Sequence, residues 1–292
     1  MTMRRPAGLP DIVLAAGAWE ARLRPGVGGC LSALTLGDTP VLRTMADRAD
    51  HPLQSACFPL VPYCNRIAHG CFRFGGREVA LDPNLGDHPH PLHGTGWLRE
   101  WRVIRHDETS ALLEDDYPGG ADWPWPYRAH QHIALDKAGC TIRLIVENRA
   151  DEPAPLGSGL HPYFRRAPDS RIAFDAHQML GIDGDALADG TGHPADSLAP
   201  WSEGSALPDT LVDHCFTGWS GAATVTDTHG TIRLRGFGAP HVHIFAPPGG
   251  EELCIEPVSH PPDALNQSPE AMPIVQPGCA VGIALRIEAD QG

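Results

Sequence analysis

The chain of 292 residues is long enough for one large β domain or two ordinary ones, and its apolar share of 42% is enough for a packed core. A formal net charge of -14 excludes nucleic acid or an anionic membrane surface as the main partner, since every phosphate contact needs a Lys or Arg, and favours a neutral small molecule. No stretch reaches the roughly eighteen apolar residues a membrane-crossing helix needs.

The 32 glycines and 29 prolines exceed what a helical protein of this size carries, and they predict many turns. At the start, Met1 to Pro10 holds two arginines but no apolar stretch ahead of a small-residue cleavage site, so the chain is expected to be cytoplasmic. In chain order, the first clear element is a hairpin. Residues 71–74 and 77–81 flank Gly75-Gly76, a pair that accepts the positive φ of a primed turn. Residues 127–135 and 140–147 alternate apolar and polar around Asp136-Lys137-Ala138-Gly139, with Ile142, Leu144 and Val146 facing one way. Residues 222–226 and 231–235 flank Asp227-Thr228-His229-Gly230, and residues 241–246 and 253–256 flank Pro247-Pro248-Gly249-Gly250. Residues 261–267 predict one or two helical turns, and residues 280–287 a closing strand. With no repeat, low-complexity block or long linker, the pattern predicts an all-β protein: a single large antiparallel sandwich over residues 1–292. The eight cysteines form no C-x-x-C pair and read as buried reduced thiols.

Four polar clusters lie beside turn residues, where a β scaffold exposes loops. Asn65-Arg66 offers an amide and a fixed fork of donors suited to sugar hydroxyls, or a plain salt bridge to a neighbouring strand. His88, His90, His93 and Trp97 fall within ten residues of loop-like sequence, and His241 and His243 stand on one face of a strand. A metal site would normally add a carboxylate or cysteine at ligand spacing, and none is seen, so hydrogen-bonding or core roles are expected and no metal is assigned. His161 sits between Gly157-Ser158-Gly159 and Pro162-Tyr163, either as a buried imidazole satisfied by backbone or as a working one. Asp213 and Glu256 are the two carboxylates of the fourth cluster. Glu256 closes an apolar run, so a strand would carry it inward, where burial is costly unless it has partners or a task.

Taken together, the Pro62-Tyr63-Cys64-Asn65-Arg66-Ile67 run, Leu92-His93-Gly94, His161-Pro162-Tyr163-Phe164 and Glu256-Pro257 resemble the aldose 1-epimerase (galactose mutarotase-like) family, in the family's order, from about Leu34 to about Ile287. The resemblance implies a β-supersandwich with an open cleft for a monosaccharide and an enzyme that interconverts α and β anomers of a free aldose without cofactor. By position within the motifs, Glu256 matches the family's general base, His161 its general acid, and His93, Arg66 and Asp213 its substrate-binding residues. The stretches 82–90 and 116–125 differ from the family pattern.

On this reading the carboxylate, ionised at neutral pH, takes the anomeric proton while an imidazole near its reference pKa of about 6.5 gives one to the ring oxygen. Asn65 would join Arg66, His93 and Asp213 in holding hydroxyls, and Trp97 and Tyr163 are expected to offer an apolar sugar face. The alternatives are a glycosidase, a non-catalytic sugar-binding protein, and a metal-dependent isomerase built on His88, His90, His241 and His243. A phosphosugar mutarotase would need a basic pocket. The nearest basic pair, Arg165-Arg166, reads as solvated side chains that could still reach an anion. Monomer and homodimer are equally open.

Overall fold

The computed structural model describes residues 10–290, so the N-terminal stretch weighed above as a leader lies, up to residue 9, outside the described residues. Two antiparallel sheets face one another. The eleven-stranded sheet carries the polar clusters, and its centre runs, strand by strand, through Cys57–Leu60, Gly159–Pro162, Cys254–Val258, His241–Ala246 and Val212–Thr217. The nine-stranded sheet includes Ser110–Tyr117, Tyr127–Asp136, Gly139–Asn148, Ala280–Ala289 and Gly230–Phe237.

The second sheet forms because its strands alternate cleanly. Tyr127–Asp136 buries every other residue, and the same period in its partner puts Ile142, Leu144 and Val146 into the shared core with Leu285 and Ile287. The predicted hairpins are present. Tyr127–Asp136 pairs Gly139–Asn148, Ala222–Asp227 pairs Gly230–Phe237, and Cys71–Phe74 pairs Arg77–Ala80 across Gly75 and Gly76, both at positive φ. The expected helix shrinks to one turn, Ala264–Gln267.

Several strands have no counterpart in the sequence reading, among them Cys30–Leu36, Cys57–Leu60 and Gly159–Pro162. All but the end of the first are buried on both faces, so their sequences carry no alternation. The thiols divide unevenly: Cys71 and Cys279 are exposed, while the other six are buried and all eight are free. The pair expected to be solvated is not. Arg165 holds the buried Asp227 carboxylate through two bonds of 2.8 and 2.9 Å, and Arg166 donates to Pro247 O at 2.8 Å and Glu252 O at 3.2 Å.

Leu144 is completely buried between the sheets. Leu144→Ala is expected to lower the unfolding free energy by about 2–5 kcal/mol, read from the midpoint of a urea transition. A loss below about 1 kcal/mol would mean that the core can close around the deletion.

Candidate active site

Five adjacent strands of the larger sheet each turn one side chain toward the same spot. Glu256 comes from Cys254–Val258, and directly opposite it on the neighbouring strand stands His243. Asp213 comes from the next strand, Val212–Thr217, where His243 faces Cys215. On the other side Gly159–Pro162 brings His161, and Cys57–Leu60 brings Phe58, its cross-strand partner. The His161 ring stacks on Phe58 at 4.5 Å and on Tyr163 at 4.7 Å between centroids. Its Nε2 lies 3.4 Å from Glu256 Oε1.

Two loops close the cavity. Val61 O accepts from both Thr95 N–H and Gly96 N–H at 3.0 Å, and His93 N–H donates to Asn65 O at 2.9 Å. This contact is only possible without a side chain at Gly94: φ is 73°, and a Cβ would stand 2.2 Å from Val61 O. His93 Nδ1 accepts the Asn65 N–H at 3.1 Å, which leaves the proton on Nε2 as a donor. The other imidazoles of that cluster serve backbone too, since His88 Nδ1 accepts from His90 N–H and His90 Nδ1 from His69 N–H.

Asn65, Arg66, His93, His161, Tyr163, Asp213, His243 and Glu256 all line one cavity of 290 Å³, with Leu53, Leu92, Phe245 and Glu252 completing its wall. That size suits one small polar molecule. Of the residues expected at a sugar site, Trp97 alone is elsewhere. It is fully buried beneath Phe58, with its Nε1–H shared between Leu92 O and Gly94 O at 3.1 Å, so it holds the His93 loop instead of offering a face. Tyr163 reaches the wall, but its ring is taken up by the His161 imidazole and by the Arg43 guanidinium 3.4 Å from its centroid. His243 is the residue that sequence reasoning missed as part of the site.

The charges are arranged in a chain. Arg66 Nη2 lies 3.4 Å from Asp213 Oδ2, and His243 Nε2 lies 2.7 Å from Asp213 Oδ1. Burial opposes the charge on both partners of the second pair, yet their mutual bond outweighs it. His243 is pushed up to about 10 and Asp213 down to about 2. Glu256 goes the other way. Burial, with the Asp213 charge adding to it, raises it to about 8 against the pull of His243 and Arg66. Burial, then His243 and Arg43, lowers His161 to about 3. Both shifts thus favour the neutral forms of Glu256 and His161, whereas the sequence suggests an ionised carboxylate facing an imidazole near its reference pKa.

Cys254, two residues before Glu256 on the same face of the strand, completes the one group of potential cation ligands among the described residues: His161, Cys254 and Glu256, with ligand atoms within 4.8 Å of one another. His88, His90, His241 and His243 do not converge as a ligand set.

The sequence profile of the aldose 1-epimerase family matches residues 14–287. The chain belongs to that family. It is 31% identical over 246 residues to the uncharacterised Escherichia coli K12 protein YphB, spanning 81% of this chain and 83% of that one. A crystal structure of a candidate aldose 1-epimerase from Escherichia coli K12 superposes with a TM-score of 0.90 at 28% identity, covering 98% of this chain and all of the other. The Caenorhabditis elegans homologue of GalM/aldose epimerase, at 18% identity and a TM-score of 0.80 over 97% of this chain and 99% of that one, shares the fold. This aldose 1-epimerase family member thus has the galactose mutarotase-like sandwich that its motifs imply.

Because Glu256 holds its proton more tightly folded than unfolded, its own contribution to stability falls as pH rises from roughly 4.5 to 8 and is constant above that window. Glu256→Gln removes this penalty. It is expected to be more stable than the parent near pH 9 and equal to it near pH 4 in urea melts; the same difference at both values would contradict the burial argument.

Proposed function

We propose that this protein is an aldose 1-epimerase that opens and recloses a free aldopyranose, with Glu256 as general base and His161 as general acid. The observation that carries the reading is the 3.4 Å approach of these two side chains inside a cavity lined by hydroxyl-binding groups. Ring opening removes the proton from the anomeric hydroxyl and supplies one to the ring oxygen. Reclosure on the other face of the aldehyde, after rotation about C1–C2, returns both.

The electrostatics of the pair fit such a cycle. With both groups shifted toward their neutral forms, the pair would hold one proton between them, on the carboxyl. Shifting it to the imidazole makes a carboxylate that accepts O1–H and an imidazolium that donates to the ring oxygen, with no proton exchanged with solvent. The reaction creates the opposite arrangement, which is the one reclosure needs. Bound sugar favours the shifted state because O1–H donates to the carboxylate and the ring oxygen accepts from the imidazolium.

Arg66, Asn65, His93 and Asp213 then act by holding hydroxyls. Both cations of the wall are already bound to Asp213, and the cavity otherwise offers the carboxylate of Glu252 at its edge. This favours an unphosphorylated sugar as substrate.

Freshly dissolved pure anomers of galactose, glucose, arabinose, xylose and fucose, followed by polarimetry or NMR, test the reading directly. At least one is expected to equilibrate faster with the protein, while nitrophenyl glycosides stay intact; release of nitrophenol would point to hydrolysis. Glu256→Gln and His161→Asn are each expected to cost about 10²- to 10⁴-fold in kcat. After subtraction of the water reaction, kcat/KM should stay level through neutral pH and fall above about 8, where the pair loses its proton to solvent. A fall already near pH 6.5, the reference value for a free imidazole, would instead support an ionised Glu256 facing a normal histidine.

A further inference from the structure

Residues that follow the Glu256 strand grip the 62–71 segment on both sides of Asn65 and Arg66. Ahead of them, His260 Nε2 accepts the Cys64 N–H at 3.1 Å, while its Nδ1–H donates to Pro261 O at 2.9 Å. The two bonds require a neutral ring protonated on Nδ1, and burial, which pushes His260 down to about 4, keeps it so. Beyond them, the Asp263 N–H donates to Arg66 O at 2.9 Å and its Oδ1 accepts the Ala68 N–H at 3.0 Å. Between the two grips Asn65 is held at φ 58°, a left-handed conformation that costs a non-glycine residue about 1 kcal/mol or more and persists only where its surroundings impose it.

The same ring explains the glycine ahead of the His161 strand. A Cβ on Gly157 would stand 2.3 Å from His260 Cδ2 and 2.5 Å from Nε2, and the Gly157 N–H donates to Pro62 O at 2.6 Å. Three segments therefore meet at one buried imidazole: the arm with Asn65 and Arg66, the chain leading to His161, and the chain leaving Glu256. None of this places His260 on the cavity wall.

We propose that His260 is a positioning residue, a buried clip that fixes the backbone of Asn65 and Arg66 against the strand carrying Glu256, and that Gly157 is glycine to leave room for it. Its kinetic consequence rests on the mutarotase reading; its structural consequence does not. Losing the Cys64 bond frees the arm that holds sugar hydroxyls while leaving the acid and base in the sheet, so binding suffers more than chemistry.

The test combines residue-resolved amide hydrogen exchange of the full, sugar-free chain with anomer kinetics for the parent, His260→Ala, His260→Asn and His260→Gln. His260→Ala and His260→Asn are both expected to speed exchange at Cys64 by about tenfold or more. They should also raise KM about tenfold, with kcat changed less than about threefold. The Asn variant keeps a donor for Pro261 O and guards against an Ala variant that does not fold. His260→Gln, whose Oε1 can stand where Nε2 accepts, should return both readouts toward the parent. Unchanged exchange at Cys64, faster exchange spread evenly over the sheet, or a Gln variant no better than Ala overturns the clip. If the parent interconverts no anomer, the mutarotase reading fails, and the exchange data alone decide on His260.

Discussion

Burying a carboxyl group in the middle of a sheet, shut off from water, constrains everything placed around Glu256. A buried charge costs several kcal/mol unless opposing charges answer it, and those charges must themselves be answered. Around it the charges run over two strands to the 62–71 segment: Glu256 faces His243, His243 is bound to Asp213, and Asp213 to Arg66, so that the opposing charges engage one another and Glu256 is shifted toward its neutral form. The outcome is a graded set of protonation states inside one small cavity. His243 and Asp213 are held in their charged forms as an ion pair, while Glu256 and His161 are both shifted toward their neutral forms. Sheet geometry makes this possible, because hydrogen-bonded neighbours fix the spacing of these groups more rigidly than a loop would.

How far the fold can be read from the sequence depends on which faces its strands bury. Tyr127–Asp136 and Gly139–Asn148 have one face in the core and one toward solvent, so Ile142, Leu144 and Val146 announce them by alternation. Cys57–Leu60 and Gly159–Pro162 are covered on both sides, and Phe58-Pro59-Leu60 reads like any apolar run. Of the strands that build the candidate site, those carrying His243 and Glu256 show themselves beside a turn, whereas those carrying Phe58 and His161 have no alternation to mark them.

The site itself was legible wherever a motif fixed a residue, and less so where register decided. Glu256 stands out in the sequence because a carboxylate closing an apolar run is out of place, whereas its neighbour His243 reads equally as a core or a metal-binding residue. Placing it requires the register of the hairpin. The connection over residues 247–253 sets His243, and not His241, opposite Glu256. Trp97 was misplaced for a related reason: an indole beside three histidines suggests a sugar platform, and nothing local says that Phe58 will cover it. Arg165 looked solvated because its partner, Asp227, lies 62 positions further along the chain.

The His161 ring is held mainly through its faces, with the His93 ring set at right angles to it, 5.3 Å between centroids. Phe58 and Tyr163 fix its plane by stacking, while its buried Nδ1 has no hydrogen-bond partner among the described residues. An imidazole whose Nδ1–H is anchored to an acceptor is fixed in the tautomer that leaves Nε2 free to take a proton. Stacked on Phe58 and Tyr163, this ring keeps its aim without that anchor, and its Nε2 stands 3.4 Å from Glu256 Oε1. In the proposed cycle the imidazole can gain and lose its proton at Nε2 without breaking a hydrogen bond at Nδ1.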